Sequence, residues 1–350
     1  MPGAYLNLLT LVIGISTAWL IGNRADKLGR RLGLLDFPDP FGGRKRHPRV
    51  TPLVGGLAII VTFELAAMAL LAFTPESSPE FVWQVQWVAI AVGAMGLLGL
   101  ADDRFGLSPM FRLAAALLVL TLTIVYAPEF RVEYLRFNGV PTLFLLPTWL
   151  SVVFTLVCLI GLLNAVNMAD GKNGLVITLA IIWTSVLFAH NPKAFDPLLM
   201  AIIGCLVVLL VFNMKSALFL GDGGSYAVSA VFGLLAIYAY NQSFPTFGAA
   251  QVATMFLVPV LDTVRLMSWR IRHGRSPFAG DRNHLHHYLH ARWDWPMGLA
   301  IYAALVATPN YLSVVFPEAS LAWLGLGVLL YGLTLAVAAR RGSFREGIST

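Results

Sequence analysis

"FVWQVQWVAIAVGAMGLLGLADDRFGLSP", residues 81–109, decides the fold class. Residues 81–100 carry no charged side chain. Roughly 20 such residues in helix cross a hydrocarbon core about 30 Å thick. The run then stops on two adjacent carboxylates, Asp102 and Asp103. A membrane-grade segment that ends in a doublet of like charges raises the question of what those charges do at the surface.

The rest of the chain has the same character. Of its 350 residues 58% are hydrophobic and only 12% are charged, about half the charged share of a soluble globular protein. Mean hydropathy is +0.75. This composition implies one integral membrane domain over residues 1–350 and excludes two soluble domains. Eleven spans are expected, at about 4–22, 53–73, 81–100, 111–127, 147–166, 174–190, 197–214, 224–240, 246–267, 297–316 and 320–339. The N-terminal "MPGAYLNLLTLVIGISTAWLIG" has no basic leader and no small-residue cleavage site, so it reads as a retained first span. Cys158 and Cys205 both lie inside apolar runs, and no disulfide framework is expected.

The basic residues orient this all-α polytopic fold. With the N-terminus outside, the inner segments are 23–52, 101–112, 167–173, 215–223, 265–296 and the C-terminal 340–350. Of the 24 Lys and Arg, only Arg131, Arg136 and Lys193 fall on the outer side. That asymmetry marks the inner segments as cytoplasmic and the C-terminus with them. The net charge of +6 is thus a topological signal, and no nucleic-acid-binding module is present in the sequence. On the outer side, Asn138-Gly139 separates two β-prone stretches in "RVEYLRFNGVPTLFL", which predicts a short external β-hairpin. Pro259 is expected to kink or break the ninth span.

In this topology five polar motifs meet one face. "RKRHPRVTPLVGG" leads into span two; "ADDRFGLSP", "NAVNMADGKNG" and "FLGDGGS" follow spans three, five and seven; "GDRNHLHHYLH" lies in the 268–296 loop after span nine. A single Asp at a helix end reads as a cap. A doublet with Asp222 as a third carboxylate suits Mg²⁺, which is held by one or two carboxylates plus substrate phosphates. Asn164, Asn167, Asp170 and Asn173 recur every three residues and share one face if the helix continues, although Gly171 and Gly174 end it midway. His284, His286 and His287 stand among Arg270, Arg272, Arg275 and Arg282, a mixture that fits phosphate oxygens. Zinc lacks a clear ligand set there, and a basic surface loop drawn to anionic lipid is the alternative.

Taken in order, "LADDRFGLSP", "NAVNMADG", "FLGDGGS" and "DRNHLHH" resemble the polyprenyl-phosphate N-acetylhexosamine-1-phosphate transferases of bacterial envelope synthesis, over about residues 40–290. The "DRNHLHH" form is closer to the O-antigen and teichoic-acid initiating branch than to the lipid I synthases. The resemblance implies a multi-pass enzyme of the bacterial inner membrane with its active site facing the cytoplasm. It would transfer a sugar-1-phosphate, most often that of N-acetylglucosamine, from a UDP-sugar to undecaprenyl phosphate with release of UMP. Mg²⁺ is the implied cofactor, with Mn²⁺ as a substitute, and membrane lipid and a homodimer are the implied partners.

The resemblance also implies roles. Asp222 and Asp103 would hold the metal, Asp102 would act on the lipid phosphate as base, and Phe219 would stack on uracil. Asn167, Asp170 and Asn173 would meet the nucleotide; Arg49 would be the family's basic substrate-binding position on the loop before span two; Arg265, His284, His286 and His287 would meet phosphate, His284 as part of the catalytic set. The chain departs from the pattern once, with "DGKNG" where the family has "DGxDG", so that Asn173 replaces an Asp. An amide keeps an acceptor, loses the charge and gains donors. The rival readings are a lipid I synthase-type transferase acting on UDP-MurNAc-pentapeptide, a secondary transporter, and an inactive scaffold. A transporter would hold its ionisable groups near the midplane in paired repeats, and no repeat is found here.

Overall fold

The computed structural model of the chain describes residues 2–38, 49–74, 77–243, 246–276 and 282–339. Of the basic run before span two, Arg44, Lys45 and Arg46 lie outside the described residues, as does the inner segment 340–350.

Thirteen α-helices are present among the described residues: α1 (Pro2–Asn23), α2 (Ala25–Leu32), α3 (Gly55–Phe73), α4 (Pro79–Phe105), α5 (Pro109–Tyr126), α6 (Thr148–Ala169), α7 (Leu175–His190), α8 (Asp196–Met214), α9 (Gly221–Gln242), α10 (Ala249–Arg272), α11 (Leu285–Arg292), α12 (Met297–Val315) and α13 (Ser320–Ala339). Ten are long and apolar enough to cross a membrane; α7, the sixth expected span, is a shorter apolar helix. The eleven expected spans are therefore ten full-length helices and one short one. Only α2 and α11 fall outside that set, each 8 residues long. The protein is an all-α, multi-pass membrane protein.

The helices close around α9. From Gly223 to Tyr240 every residue of α9 is buried, and α3, α4, α6 and α7 pack against it. Peripheral helices α1 and α13 are buried over little of their length. In lipid each helix satisfies its own backbone, so association rests on close packing. The contacts of α4 and α3 with α9 depend on this: a Cβ on Gly99 of α4 would overlap the Asp222 carbonyl oxygen, and one on Gly56 of α3 would overlap the Gly224 nitrogen.

The expected hairpin forms. β3 (Tyr134–Arg136) pairs antiparallel with β4 (Leu143–Leu145), across a turn containing Asn138 and Gly139, the latter at φ 78°. A second antiparallel pair, β1 (Leu35–Asp36) with β2 (Thr51–Pro52), was not foreseen. α10 runs unbroken through Pro259.

Candidate active site

The doublet is positioned by local grammar. Gly106 takes a left-handed conformation and ends α4; Ser108 caps α5 by accepting from Phe111 N at 3.3 Å, with Pro109 as its first residue. The short turn folds α5 back against α4, and Arg112, in the first turns of α5, ion-pairs with Asp102. The other Asp102 oxygen accepts from Leu107 N at 2.8 Å. Asp102 is buried, and it ties α4 to α5.

Asp103 lies about 100° further round α4 and faces α9 instead. Its two oxygens accept from the backbone N–H groups of Asp222 and Gly223, each at 3.0 Å. These are donors that a helix start leaves without intrahelical partners, and a negative charge is favourable there. Asp222 is thereby fixed on the first turn of α9. Its Oδ1 accepts from Asn167 Nδ2 at 2.6 Å, and its Oδ2 stands 3.8 Å from Arg112. A third of the Asp222 side chain is exposed (33%). Asn167 also donates to Ser225 Oγ at 3.1 Å.

The register of amides expected after span five is only partly realised. α6 ends at Ala169, so Asn164 and Asn167 alone are helical. Asn164 donates to the Ile160 carbonyl of its own helix and does not join the cluster. The chain turns through 170–174, with Gly174 at φ 79°. Burial pushes the Asp170 carboxyl up to about 7, and the nearby charge of Asp103 adds to the effect. The Asn173 side chain is engaged away from these carboxylates, with Nδ2 donating to Ser216 Oγ at 2.7 Å, and the Asn173 backbone carbonyl accepts from Trp295 Nε1 at 2.8 Å. Arg49 reaches the same turn, with Nη2 donating to the carbonyls of Ser216 (3.0 Å) and Lys215 (3.3 Å). The backbone of Phe219 is sewn to the start of α3, donating to Pro52 O at 2.8 Å and accepting from Gly55 N at 3.0 Å. Its ring is half-buried.

The histidine motif forms the start of α11. His284 precedes it and His286 and His287 lie in its first turn. The His284 and His286 rings stack at 5.5 Å, and the His287 ring lies tilted by 51° against that of His286 at 4.2 Å. His286 is buried, and burial holds its imidazole well below the ordinary range. A Cβ on Gly171 would overlap its Nε2, so the ring packs directly under the turn after Asp170. This contact joins the histidine motif to the carboxylate cluster. Arg265 donates to Asp262 Oδ1 (2.8 Å), Tyr331 OH (2.9 Å) and Asn283 O (2.5 Å). Beside it a cleft of about 190 Å³ is lined by Arg265, Leu266, Trp269, Asn283 and Tyr288.

One contiguous site therefore gathers Asp102, Asp103, Asp222, Asn167 and Asp170 with His284, His286, His287 and Arg265, while Arg49, Asn173 and Phe219 brace its flank. Sequence reasoning missed Arg112, Ser225, Ser216 and Asp262. Asp262 carried a readable signal, since it is the one acidic residue in the apolar ninth span.

The model of glycosyl transferase family 4 matches residues 85–240, a stretch that starts in α4 and ends in α9 and so spans the carboxylate cluster. The chain is 28% identical to the decaprenyl-phosphate N-acetylglucosaminephosphotransferase of Mycobacterium tuberculosis, with 98% of this chain and 91% of that protein covered. It is 25% identical to the probable undecaprenyl-phosphate N-acetylglucosaminyl 1-phosphate transferase of Bacillus subtilis, covering 81% and 77%. It is likewise 25% identical to the undecaprenyl-phosphate alpha-N-acetylglucosaminyl 1-phosphate transferase of Escherichia coli, with the same coverage. The family match ends before α10 and so does not reach the histidine motif, which the alignment to the Mycobacterium tuberculosis protein, over 98% of this chain, includes.

Proposed function

We propose that this chain transfers N-acetylglucosamine-1-phosphate from its UDP-sugar to a polyprenyl phosphate, releasing UMP and leaving a lipid-linked diphospho-sugar in the bilayer. The observation that carries the reading is the bond from Asn167 to Asp222 beside the Asp103 clamp on α9. It sets a partly exposed carboxylate at the end of a buried helix, where a lipid phosphate and a water-soluble nucleotide can both arrive. The names of the relatives supply the chemistry for that geometry.

The residues suit a divalent cation. Among the described residues no three His, Cys, Asp or Glu side chains enclose a metal by themselves. Mg²⁺ needs only one or two carboxylates when phosphates complete its shell. Asp222 has exposed surface, and each Asp103 oxygen keeps a lone pair beyond the N–H it accepts. These two would hold the ion, which would offset the charge of two phosphates brought together.

The remaining work falls to the chain. Asn167 orients Asp222 by donating to its Oδ1. Arg112 neutralises Asp102 and stands near enough to Asp222 to limit its repulsion of an incoming phosphate. We assign Asp102 to positioning α5 and Arg112, since a lipid phosphate monoester, with a second pKa of about 6, is already largely deprotonated at neutral pH. Asp170 and Phe219 would flank the nucleotide, with Asn173 and Arg49 holding the Ser216 turn that carries Phe219. Arg265, His284 and His287 would meet phosphate oxygens from the other side. In this reading the site faces the cytoplasm at the inner membrane, where nucleotide sugars are found.

Purified protein in lipid nanodiscs with polyprenyl phosphate, Mg²⁺ and a panel of UDP-sugars tests the reading. UMP release is expected with UDP-N-acetylglucosamine and is lost on chelation. No UMP from any donor overturns it; release with UDP-MurNAc-pentapeptide alone redirects it to lipid I synthesis.

A further inference from the structure

We propose that Asp262 is a positioning residue that fixes the ring of His284 with Nδ1–H toward its own carboxylate, leaving Nε2 as the nitrogen presented to substrate phosphate. The inference rests on the transferase reading above. Asp262 lies in α10 and is 4% exposed. Its Oδ2 is 2.9 Å from His284 Nδ1 and 3.1 Å from the Leu285 backbone nitrogen. Its Oδ1 takes Arg265 Nη2 and Tyr331 OH, each at 2.8 Å, and lies 3.3 Å from the same Leu285 nitrogen.

A carboxylate can only accept from a guanidinium and a backbone N–H. The ring nitrogen that faces it must therefore carry the hydrogen, which settles the tautomer of His284. A helix cap alone would need only the bond to Leu285 N. Here the same carboxylate holds the ring and the next backbone group, so it fixes both the place of residue 284 and the rotation of its side chain. Arg265 extends the hold by donating to Asn283 O at 2.5 Å. Three consecutive residues, 283–285, are thus tied to the 262–265 turn of α10.

The third strut comes from the last helix. Tyr331 accepts from Arg265 Nε at 2.9 Å and donates to Asp262. α13 is otherwise largely unburied, yet this hydroxyl is buried with its residue at 5% exposure. With Nδ1 committed, only Nε2 of His284 is left for a ligand. Outer partners of this kind are worth about 10- to 100-fold when they orient a ligating histidine.

The test uses full-length protein in nanodiscs, labelled with ¹⁵N-histidine and assigned by subtraction of the His284→Gln spectrum. The expected spectrum gives His284 a protonated Nδ1 and a bare Nε2, and Asp262→Asn shifts population to the opposite tautomer. UMP-release kcat is expected to fall about 10- to 100-fold in Asp262→Asn. The double variant Asp262→Asn/His284→Gln is then no slower than His284→Gln alone. A merely structural Asp262 would multiply the two losses. A His284 protonated only at Nε2 in the wild type overturns the proposal, as does an unchanged signature in Asp262→Asn. The wild-type spectrum decides even if Asp262→Asn does not fold. The expected tautomer in a protein that releases no UMP from any donor would remove the transferase reading and leave the fixing of His284 standing.

Discussion

Asp222 and Asp262 are the same side chain under opposite conditions. Asp262 is enclosed by four donor groups from three helices and has no capacity left. Asp222 receives one carboxamide and a guanidinium at 3.8 Å, and a third of it is open. The saturated carboxylate organises its neighbours; the unsaturated one is available to something that arrives. The site is built from one of each, and the contact of Gly171 with His286 joins them.

The sharpest way to break this contrast is to remove the open carboxylate. Asp222→Ala should lower UMP release by roughly 1,000-fold or more, with thermal stability close to wild type. Asp103→Ala should lose comparable activity and also destabilise the protein by about 1–3 kcal/mol, because two N–H groups of α9 lose their acceptor. Turnover like wild type in both variants would remove the metal assignment. Next in size, Gly171→Ala should displace His286 and uncouple the two halves. About a tenfold fall in kcat is expected, on the scale of a misplaced orienting group; unchanged kinetics would show that the halves act separately.

Asp170 gives a smaller, pH-dependent effect. Its carboxyl titrates in the fold at about 7, against an ordinary value of 3.8. The folded protein keeps a proton that the unfolded chain has already released, so stability falls as pH rises from about 4 to about 7. Asp170→Asn should match the wild-type melting temperature below pH 4 and exceed it by roughly 2–4 °C at pH 8 in metal-free buffer. Equal melting at pH 8 would show that the carboxyl is not penalised by its surroundings. The smallest effect is expected at Asn173. Ser216 can donate to a carboxylate as readily as it accepts from the amide, so Asn173→Asp should keep UMP release within a few-fold while shifting donor preference. A dead variant would mean that the Ser216 turn tolerates no charge.

Much of the frame was legible because lipid imposes a simple code, in which apolar runs of spanning length form helices. Gly106, Ser108 and Pro109 also announce the α4–α5 turn in one dimension. The division of labour within Asp102-Asp103 was not legible. It depends on a 100° step around α4 that aims one carboxylate at Arg112 and the other at α9, and adjacency in sequence hides that step. Likewise the spacing of Asn164, Asn167, Asp170 and Asn173 suggested one face, whereas the helix stops at Ala169 and sends Asn173 to Ser216. Asp262 was passed over because its partners, His284 and Tyr331, are 22 and 69 positions away.

The helix that carries Asp222 is enclosed by protein on every side from Gly223 to Tyr240. Bilayer thickness or fluidity can then reach the reaction centre only through neighbouring helices. A change of lipid should alter how readily the long-chain acceptor gets in, and so its KM, while the rate of the committed complex stays nearly constant.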